Sequence, residues 1–532
     1  MRLLIIASLF AISAQSQEFS RKDSLQGGLR PERTSYDVRR YDLDIRIDPD
    51  KRHISGFNDL TVEFITPSPE IQIDLFENMQ VDSIVMEGKP LAYRREFGAV
   101  FVQTQYATGN KIIRFYYSGH PLAAKRAPWD GGFDFKKDRE GNHWIGVAVQ
   151  GTGASLWYPC KDSQTDEPDL GASIKVAVPN GLMNVSNGRL LGSKDLGDGY
   201  TRWDWEVKNP INNYNITVNI ANYSHIHEQH NGLDLDYYVL HYNEQKAREH
   251  FAEVKPMMDC FQEKFGPYPF ASDGFKLVET PYLGMEHQSA VAYGNRYMKG
   301  YLGYDISGSG VGMRFDYIII HETGHEWFGN SVTSADIADM WIHEGFTTYS
   351  ETVFAECRWG YADAMRYING EKNSIANDRP VIGCFGVNHE GSGDMYYKGA
   401  VMLNTMRHIV ADDRKWWSML RRFAETYRHK IIDTPTVLQF FNTESGLSFD
   451  KVFEQYLKTT KIPTLVLSSD GNSFNYHWAN AVDGFDMPVE VELRGKTVRL
   501  NPTSQPKRFR QKADLASVKV LTDKFLVKAE KR

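Results

Sequence analysis

One short stretch constrains this chain more than any other: residues 317–330 read YIIIHETGHEWFGN. The three consecutive isoleucines predict a buried segment, yet two histidines and a glutamate follow them directly. Residues four apart lie on the same face of an α-helix, so the spacing places His321 and His325 side by side, with Glu322 one position beyond the first. Two imidazoles in this arrangement are typical of a metal site.

A catalytic zinc site takes three protein ligands and keeps one position open, and two histidines with one glutamate form such a set. Glu344 in the segment WIHEGF supplies the third ligand, with 18 residues between it and His325. That interval is enough for a turn and for entry into a second, antiparallel helix. Glu322 is then free to act as the general base on a metal-activated water. A chance match to this pattern, with Glu344 in place, has a probability below about one per cent.

The 532 residues are enough for several packed cores, and we expect an α+β multidomain fold. Segments such as YDLDIRIDP alternate apolar and charged residues, which predicts an N-terminal antiparallel β domain at residues 17–230. Helical periodicity dominates from about Glu244 onward. We therefore predict that residues 231–462 form a helix-rich catalytic domain. Among its helices, the one in DMWIHEGFTTYSETVFAECRWG should stop at Gly360. Short alternating strands then predict a small C-terminal β-sandwich at residues 463–532.

The first 16 residues are typical of a secretory signal peptide. One arginine precedes an apolar run from Leu3 to Ile12, and small residues follow at Ala14 and Ser16. The run is too short to span a bilayer, so we expect no transmembrane anchor and a secreted or periplasmic protein.

Charge and cysteine content exclude some classes and leave others open. The net charge of -7 comes without a basic stripe, which argues against nucleic acid as a partner. The four cysteines form no C-x-x-C pair and no scaffold spacing, so we expect small buried thiols rather than bridges. The oligomeric state does not follow from the sequence.

Taken together, these motifs resemble the gluzincin zinc aminopeptidases, the aminopeptidase N family of the thermolysin-like clan. HEWFGNSVT resembles the family's H-Q-W-F-G-N-x-V-T, and WIHEGFTTYSE resembles W-L-N-E-G-F-A followed by a glutamate. FGPYPF resembles F-G-P-Y-P-W, and YYKGAVML resembles Y-x-K-G. The resemblance runs from about Tyr41 to Pro463. It implies a thermolysin-like catalytic domain and hydrolysis of the N-terminal residue of peptides, with one Zn2+ per chain.

The resemblance also assigns roles around the metal. It implies that His321, His325 and Glu344 bind zinc and that Glu322 deprotonates the attacking water. Tyr396 corresponds to the tyrosine that stabilises the oxyanion.

Two of the neighbouring assignments have alternatives. Tyr397 is the adjacent candidate for the oxyanion role, less favoured because the family's tyrosine lies two positions before the lysine, here Lys398. Without the resemblance, Tyr396 would be interpreted as a core aromatic residue of a helix. Glu351, two helical turns beyond Glu344, either orients a ligand histidine or is a solvated helix charge.

An aminopeptidase needs a group that binds the free α-ammonium, which the family provides in a G-x-M-E-N loop. Here the corresponding stretch is LGMEHQ, so the resemblance implies substrate contacts from Gly284, Met285 and Glu286. Leu283 replaces the first glycine and His287 replaces the asparagine. His287 either carries charge near the metal or packs as a neutral ring.

A second ammonium-side residue of the family lies nine positions before P-C-x-D, which here is Gln150. Its neutral amide can accept a hydrogen bond but adds no charge, so Glu286 would carry more of the electrostatic interaction. The alternative is that Gln150 is a surface glutamine in a glycine-rich loop.

Two other classes remain to be weighed. A thermolysin-like zinc endopeptidase would share the zinc helices, cleave N-blocked peptides and need no Glu286. A catalytically silent peptide-binding protein would retain the β domains but predicts a damaged H-E-x-x-H, whereas the motif in this chain is intact.

Overall fold

The computed structural model describes residues 19–532, so the predicted signal peptide at residues 1–16 lies outside the described residues. Across residues 19–532, no helix has both the length and the apolar character needed to cross a membrane. The described chain folds into an N-terminal β region, a central region of sheet and helices, and a C-terminal pair of small sheets. The predicted fold class is confirmed.

The N-terminal region begins with two short helices and continues with strands, with 3₁₀ turns at Ala154–Leu156 and Asn213–Asn215. The helices are α1 (Arg21–Gly27) and α2 (Pro31–Thr34). The strands are β1 (Tyr36–Asp48), β2 (His53–Phe64), β3 (Glu70–Asp74), β4 (Met79–Met86), β5 (Lys89–Pro90), β6 (Tyr93–Glu96), β7 (Ala99–Gln103), β8 (Gly109–Gly119), β9 (Gly132–Lys137), β10 (His143–Ala148), β11 (Ala172–Pro179), β12 (Met183–Val185), β13 (Arg189–Asp195), β14 (Tyr200–Val207) and β15 (Asn219–Ala221).

These strands form three sheets around one apolar core. The largest has eight strands in the order β13-β14-β11-β1-β2-β8-β4-β5, and only the β1–β11 pair in it is parallel. A four-stranded sheet, β12-β15-β10-β9, and a three-stranded sheet, β3-β7-β6, complete the region. In β1, Tyr41, Leu43, Ile45 and Ile47 are buried and alternate with partly exposed polar residues, because successive side chains of a strand point to opposite faces.

A five-stranded sheet opens the central region. Its strands are β16 (Tyr223–His230), β17 (Leu233–Leu240), β18 (Phe275–Glu279), β19 (Gly284–Met285) and β20 (Val291–Tyr293), in the order β16-β17-β18-β20-β19. Strands β16 and β17 form an antiparallel hairpin, so the predicted domain boundary after residue 230 falls inside one sheet. Strand β19 lies at the opposite edge and leads directly into Glu286.

The helices of the central region surround the predicted metal-binding motif. They are α3 (Glu244–His250), α4 (Val254–Phe265), α5 (Tyr317–Gly324), α6 (Trp341–Trp359), α7 (Tyr361–Glu371), α8 (Tyr397–Val410), α9 (Asp413–Thr426), α10 (Thr434–Ser445) and α11 (Asp450–Lys458). Two short strands in the same region, β21 (Val332–Ser334) and β22 (Lys430–Ile432), pair with each other in parallel.

Local sequence features explain where helix α5 begins and where helix α6 ends. The Asp316 carboxylate accepts hydrogen bonds from the amides of Ile318 and Ile319, which caps the start of α5. All residues of α5 are buried, as its isoleucines predict. Helix α6 ends where Gly360 adopts a φ of 86°, in agreement with the predicted stop.

The C-terminal region has two facing sheets. Its strands are β23 (Thr464–Asp470), β24 (Ser473–Ala479), β25 (Val489–Leu493), β26 (Lys496–Leu500), β27 (Lys507–Arg508), β28 (Val518–Val520) and β29 (Lys528–Lys531). The sheet β27-β24-β23-β29 and the sheet β26-β25-β28 bury Leu465, Trp478, Val489 and Val491 in a shared apolar core. This arrangement agrees with the predicted β-sandwich.

The structure corrects the prediction for three of the cysteines. Cys260 of α4 and Cys357 of α6 form a disulfide, and Cys384 is exposed, whereas only Cys160 is a buried thiol. The bridged pair is 97 residues apart in sequence. No local spacing could reveal it, because the packing of α4 against α6 brings the two sulfurs together.

Candidate metal centre and peptide-binding cleft

The three predicted metal ligands meet at the junction of two helices. His321 lies in α5, His325 is the residue that caps its C-terminus, and Glu344 lies in the first turn of α6. A carboxylate oxygen of Glu344 is 3.6 Å from His321 Nε2 and 3.3 Å from His325 Nε2. All three side chains are buried. The helical spacing of the sequence therefore brings these three residues together as predicted.

This donor set fits a tetrahedral divalent ion. Imidazole and carboxylate ligands of zinc, with bonds of about 2.0–2.2 Å, lie roughly 3.3–3.6 Å from each other. Glu344 Oε2, the atom that faces both rings, is buried and has no hydrogen-bond donor in the described chain. Burial opposes ionisation of Glu344, yet the neighbouring His325 and His321 hold its pKa below the usual value. A buried anion between two imidazoles is a binding position for a cation.

Hydrogen bonds on the far side of each imidazole fix its orientation. His321 Nδ1 lies 2.7 Å from Glu351 Oε1. His325 Nδ1 lies 3.0 Å from the carbonyl oxygen of Phe328 and 3.1 Å from Thr347 Oγ1. In both rings this leaves Nε2 directed at Glu344. Glu351 is fully buried, so the interpretation as a solvated charge is wrong.

Glu322 lies beside this donor set and has the properties of a general base. Burial, with the nearby Glu286 and Glu344 carboxylates, raises its pKa to about 7, even though the two histidines oppose the shift. A pKa near neutrality suits transfer of a proton in both directions. A side chain at Gly284 would lie 2.8 Å from Glu322 Oε1 and from Ile318 Cγ2, so it would displace the base or its neighbour.

The two candidate tyrosines are separated by the start of α8. Tyr396 precedes the helix as its N-terminal cap, and its ring stacks on His321 with centroids 6.1 Å apart. It is therefore not a core residue of a helix. Tyr397 is the first helical residue, and both side chains line the same cavity. The stacking places Tyr396, of the two, directly against a metal ligand.

Glu286 is a buried residue of the same cavity, and two donors hold its carboxylate. Its Oε1 accepts hydrogen bonds from Gln150 Nε2 at 2.6 Å and from the Tyr214 hydroxyl at 3.0 Å. Gln150 therefore reaches the site, where its amide orients the carboxylate. Oxygen and nitrogen atoms of Glu286, Glu322 and His325 lie within 4.8 Å of one another, so this carboxylate is close to the base.

A hydrogen-bond network that the sequence did not predict holds the backbone of this loop. Asn330 Nδ2 donates to the carbonyl oxygen of Glu286 at 2.7 Å, and Asn215 Nδ2 donates to Asn330 Oδ1 at 2.7 Å. The Ser289 amide donates to Glu326 Oε1 at 2.9 Å. Glu326 and Asn330 belong to the HEWFGN motif. Their position next to His321 and His325 in the sequence is the feature that could have identified them as part of the site. Nothing in the sequence pointed to Tyr214 or Asn215.

Leu283 and His287, the two residues that differ from the family's loop motif, lie in different environments. His287 is fully buried, and neither ring nitrogen has a hydrogen-bond partner in the described chain. Burial lowers its pKa to about 3, so the ring is neutral at physiological pH and does not bring charge to the site. Leu283 is partly buried and lines the cavity.

A cavity of about 330 Å³ contains all these groups. Aromatic side chains line much of its wall, and Trp129 at the rim is 63% exposed. Four carboxylates line it, and no lysine or arginine within the described residues 19–532 does. The carboxylates are those of Glu286, Glu322, Glu344 and Glu390.

Comparisons with known proteins agree with this geometry. Residues 250–456 match the Peptidase family M1 domain. The chain is 24% identical to glutamyl aminopeptidase of Homo sapiens over 338 residues, 59% of this chain and 34% of that protein. It is 21% identical to probable aminopeptidase 1 of Sulfurisphaera tokodaii over 487 residues, 84% of this chain and 58% of that protein. The matches to these two curated relatives thus span about one third and just over half of the relatives' lengths.

The fold has solved counterparts. An M1 zinc metallopeptidase from Deinococcus radiodurans superposes with a TM-score of 0.66 at 19% sequence identity, covering 82% of this chain and 96% of that one. At this level of identity the likeness concerns the fold.

Proposed function

We propose, from the match of residues 250–456 to the Peptidase family M1 domain, that the chain is a zinc-dependent aminopeptidase. It hydrolyses the first peptide bond of substrates that have a free N-terminus. One observation carries the proposal: a buried carboxylate, Glu286, lies within 4.8 Å of the base Glu322 and of the ligand His325.

That short distance accounts for the removal of single residues. The α-nitrogen of a peptide lies roughly 2.5 Å from the carbonyl carbon of the same residue. If Glu286 binds the α-ammonium, the carbonyl next to Glu322 can only be that of the first residue. The hydrogen bonds from Gln150 and Tyr214 hold Glu286 in this position.

The remaining groups have roles that follow from their places. His321, His325 and Glu344 would hold the zinc ion, which when bound supplies Lewis acidity to polarise a carbonyl and make water easier to deprotonate. Glu322 takes the proton from the attacking water and returns it to the departing amine. Tyr396 donates a hydrogen bond to the oxygen on which negative charge develops.

The alternative functions account for fewer of these features. An endopeptidase has no use for Glu286, which is 2% exposed and held by three hydrogen bonds to its side chain and backbone. A peptide-binding protein without activity has no use for an intact set of three metal ligands with Glu322 beside them.

The first-residue preference in the name glutamyl aminopeptidase does not extend to this chain in our proposal. An acidic first residue would enter a cavity that is lined by four carboxylates and, among residues 19–532, by no lysine or arginine. The proposed location, secreted or periplasmic, is supported by the Cys260–Cys357 disulfide, since disulfides persist in oxidising compartments.

Two substitutions test the mechanism. Glu322→Gln should lower kcat by about 10²- to 10⁴-fold, and Tyr396→Phe by about 10²- to 10³-fold, while each protein retains its zinc. Tyr397→Phe is the matched control and should change kcat far less than Tyr396→Phe. Zinc content is measured by elemental analysis of the same samples. Full activity of Glu322→Gln with zinc bound would contradict the mechanism.

A further inference from the structure

One carboxylate of the cavity has no part in the mechanism. Glu390 lies in the segment between α7 and α8 and lines the same cavity as Glu286 and Glu344. A side chain at Gly151, the residue after Gln150, would come within 3.1 Å of Glu390 Oε1. Glu390 therefore lies beside the Gln150–Gly151 segment, and Gln150 in turn contacts Glu286, the residue proposed to bind the α-ammonium of a peptide.

Glu390 has no compensating partner. Among residues 19–532, its carboxylate makes neither a hydrogen bond nor an ion pair. Burial and the Glu344 carboxylate raise its pKa, and Arg379 offsets this only in part. A carboxylate that is largely buried and has no partner is unfavourable unless a cation from outside the chain pairs with it.

The charges of the cavity leave room for two further cations. Its four carboxylates give a formal charge of -4, and a divalent metal ion would reduce this to -2. The α-ammonium of a peptide neutralises one of the two remaining charges. A second positive charge would balance the other, and among residues 19–532 no lysine or arginine lines the cavity to supply it.

The walls also suit a basic side chain. Aromatic rings of Trp129, Tyr301, Tyr317 and Tyr396 line the cavity. Such rings attract cations through their faces and pack against the aliphatic stems of lysine and arginine. These stems carry the charge well away from Cα, so the α-ammonium can remain at Glu286 while the side chain extends towards Glu390.

We infer that Glu390 forms a cation subsite that takes the guanidinium or ammonium group of an arginine or lysine at the first position of the peptide. This inference rests on the proposed aminopeptidase function and names its substrate class. Glu390 acts as a specificity-determining residue, while Glu286 retains the α-ammonium.

A pair of nearly isosteric peptides tests the subsite. Citrulline has the shape of arginine without its charge, so peptides with arginine or citrulline at the first position differ in the predicted interaction alone. The metal-loaded protein should cleave the arginine peptide with a kcat/KM about 10- to 100-fold higher. Glu390→Gln should reduce this ratio to about one, with most of the loss on the arginine peptide. Glu390→Asp keeps the charge and should retain part of the preference.

Controls separate the subsite from general effects. Glu77→Gln removes an exposed carboxylate of the N-terminal β region and should leave the ratio unchanged. Equal losses for both peptides in Glu390→Gln would mean that Glu390 binds the α-ammonium, which overturns the inference. Cleavage by the wild-type protein without preference for arginine overturns the subsite alone. No cleavage of either peptide contradicts the proposed function together with the subsite.

Discussion

His321 Nδ1 lies 2.7 Å from Glu351 Oε1, and both side chains are buried on neighbouring helices, α5 and α6. With Nδ1 donating to the carboxylate, Nε2 keeps its lone pair for a cation held between it and Glu344. Glu351 also accepts a hydrogen bond from the Tyr367 hydroxyl, which holds it in place. A carboxylate behind a ligand histidine raises the basicity of the ring and fixes its tautomer.

Glu351→Gln should therefore weaken metal binding. The amide keeps the size of the side chain but loses the charge, and we expect zinc affinity to fall by about 10- to 100-fold. Competition with chelators of graded affinity measures the change. Unchanged affinity in the variant would show that Glu351 has no influence on the metal site through His321.

Asn330 connects the metal-binding motif to the loop that carries Glu286. Its side-chain amide donates to the Glu286 carbonyl oxygen at 2.7 Å. Asn330→Ala should raise KM for peptides with a free N-terminus by about 10-fold, because a buried acceptor loses its donor and the loop loses its anchor. Zinc content should stay the same. Asn231→Ala, at an exposed asparagine, is the control, and an Asn330→Ala variant that loses zinc but keeps KM would oppose this assignment.

Burial of His287 should make the protein sensitive to acid. Its pKa is about 3 in the folded chain, against an unfolded value of about 6.5, so below pH 6.5 the unfolded state binds more protons. Stability is therefore lost as pH falls through this range, by about 2 kcal/mol from this residue between pH 7.5 and 5.

His287→Asn should remove that part of the pH dependence. Urea unfolding of both proteins at pH 7.5 and pH 5 gives the comparison, in which the contributions of all other groups cancel. The variant should lose about 2 kcal/mol less than the wild type over this interval. An equal loss in both proteins would mean that His287 titrates normally.

The cysteines allow a direct chemical count. Alkylation of the native protein should label Cys384 alone, and alkylation after denaturation without reductant should also label Cys160. Cys260 and Cys357 should react only after reduction. Peptide mass spectrometry identifies each site. Reduction should also destabilise the protein by about 2–5 kcal/mol, since the bridge closes a long loop. Labelling of Cys260 without reductant would contradict the bridge.

The sequence predicted those parts of the site that depend on local spacing. His321 and His325 are one helical turn apart, and Glu344 enters the next helix after a fixed interval, so helix geometry alone brings them together. The alternation in β1 and the stop at Gly360 were predictable for the same reason, because each depends on a few neighbouring residues.

The rest of the site depends on contacts between distant segments. Glu286 accepts hydrogen bonds from Tyr214 and Gln150, and Asn330, which holds its backbone, is bound by Asn215. The disulfide likewise joins residues that are 97 apart in the sequence. Whether His287 was charged or neutral depended on its burial, which no spacing reveals. Glu390 lies in a segment without a motif, and only the fold shows that it lines the same cavity as Glu286.

The most direct test of the account is mass spectrometry of one arginine-free peptide incubated with the purified protein. The peptide is presented with a free and with an acetylated N-terminus, each with and without a zinc chelator. We expect stepwise loss of N-terminal residues from the free form only, abolished by the chelator and restored by zinc. Internal cleavage of both forms would contradict the role of Glu286 and favour an endopeptidase.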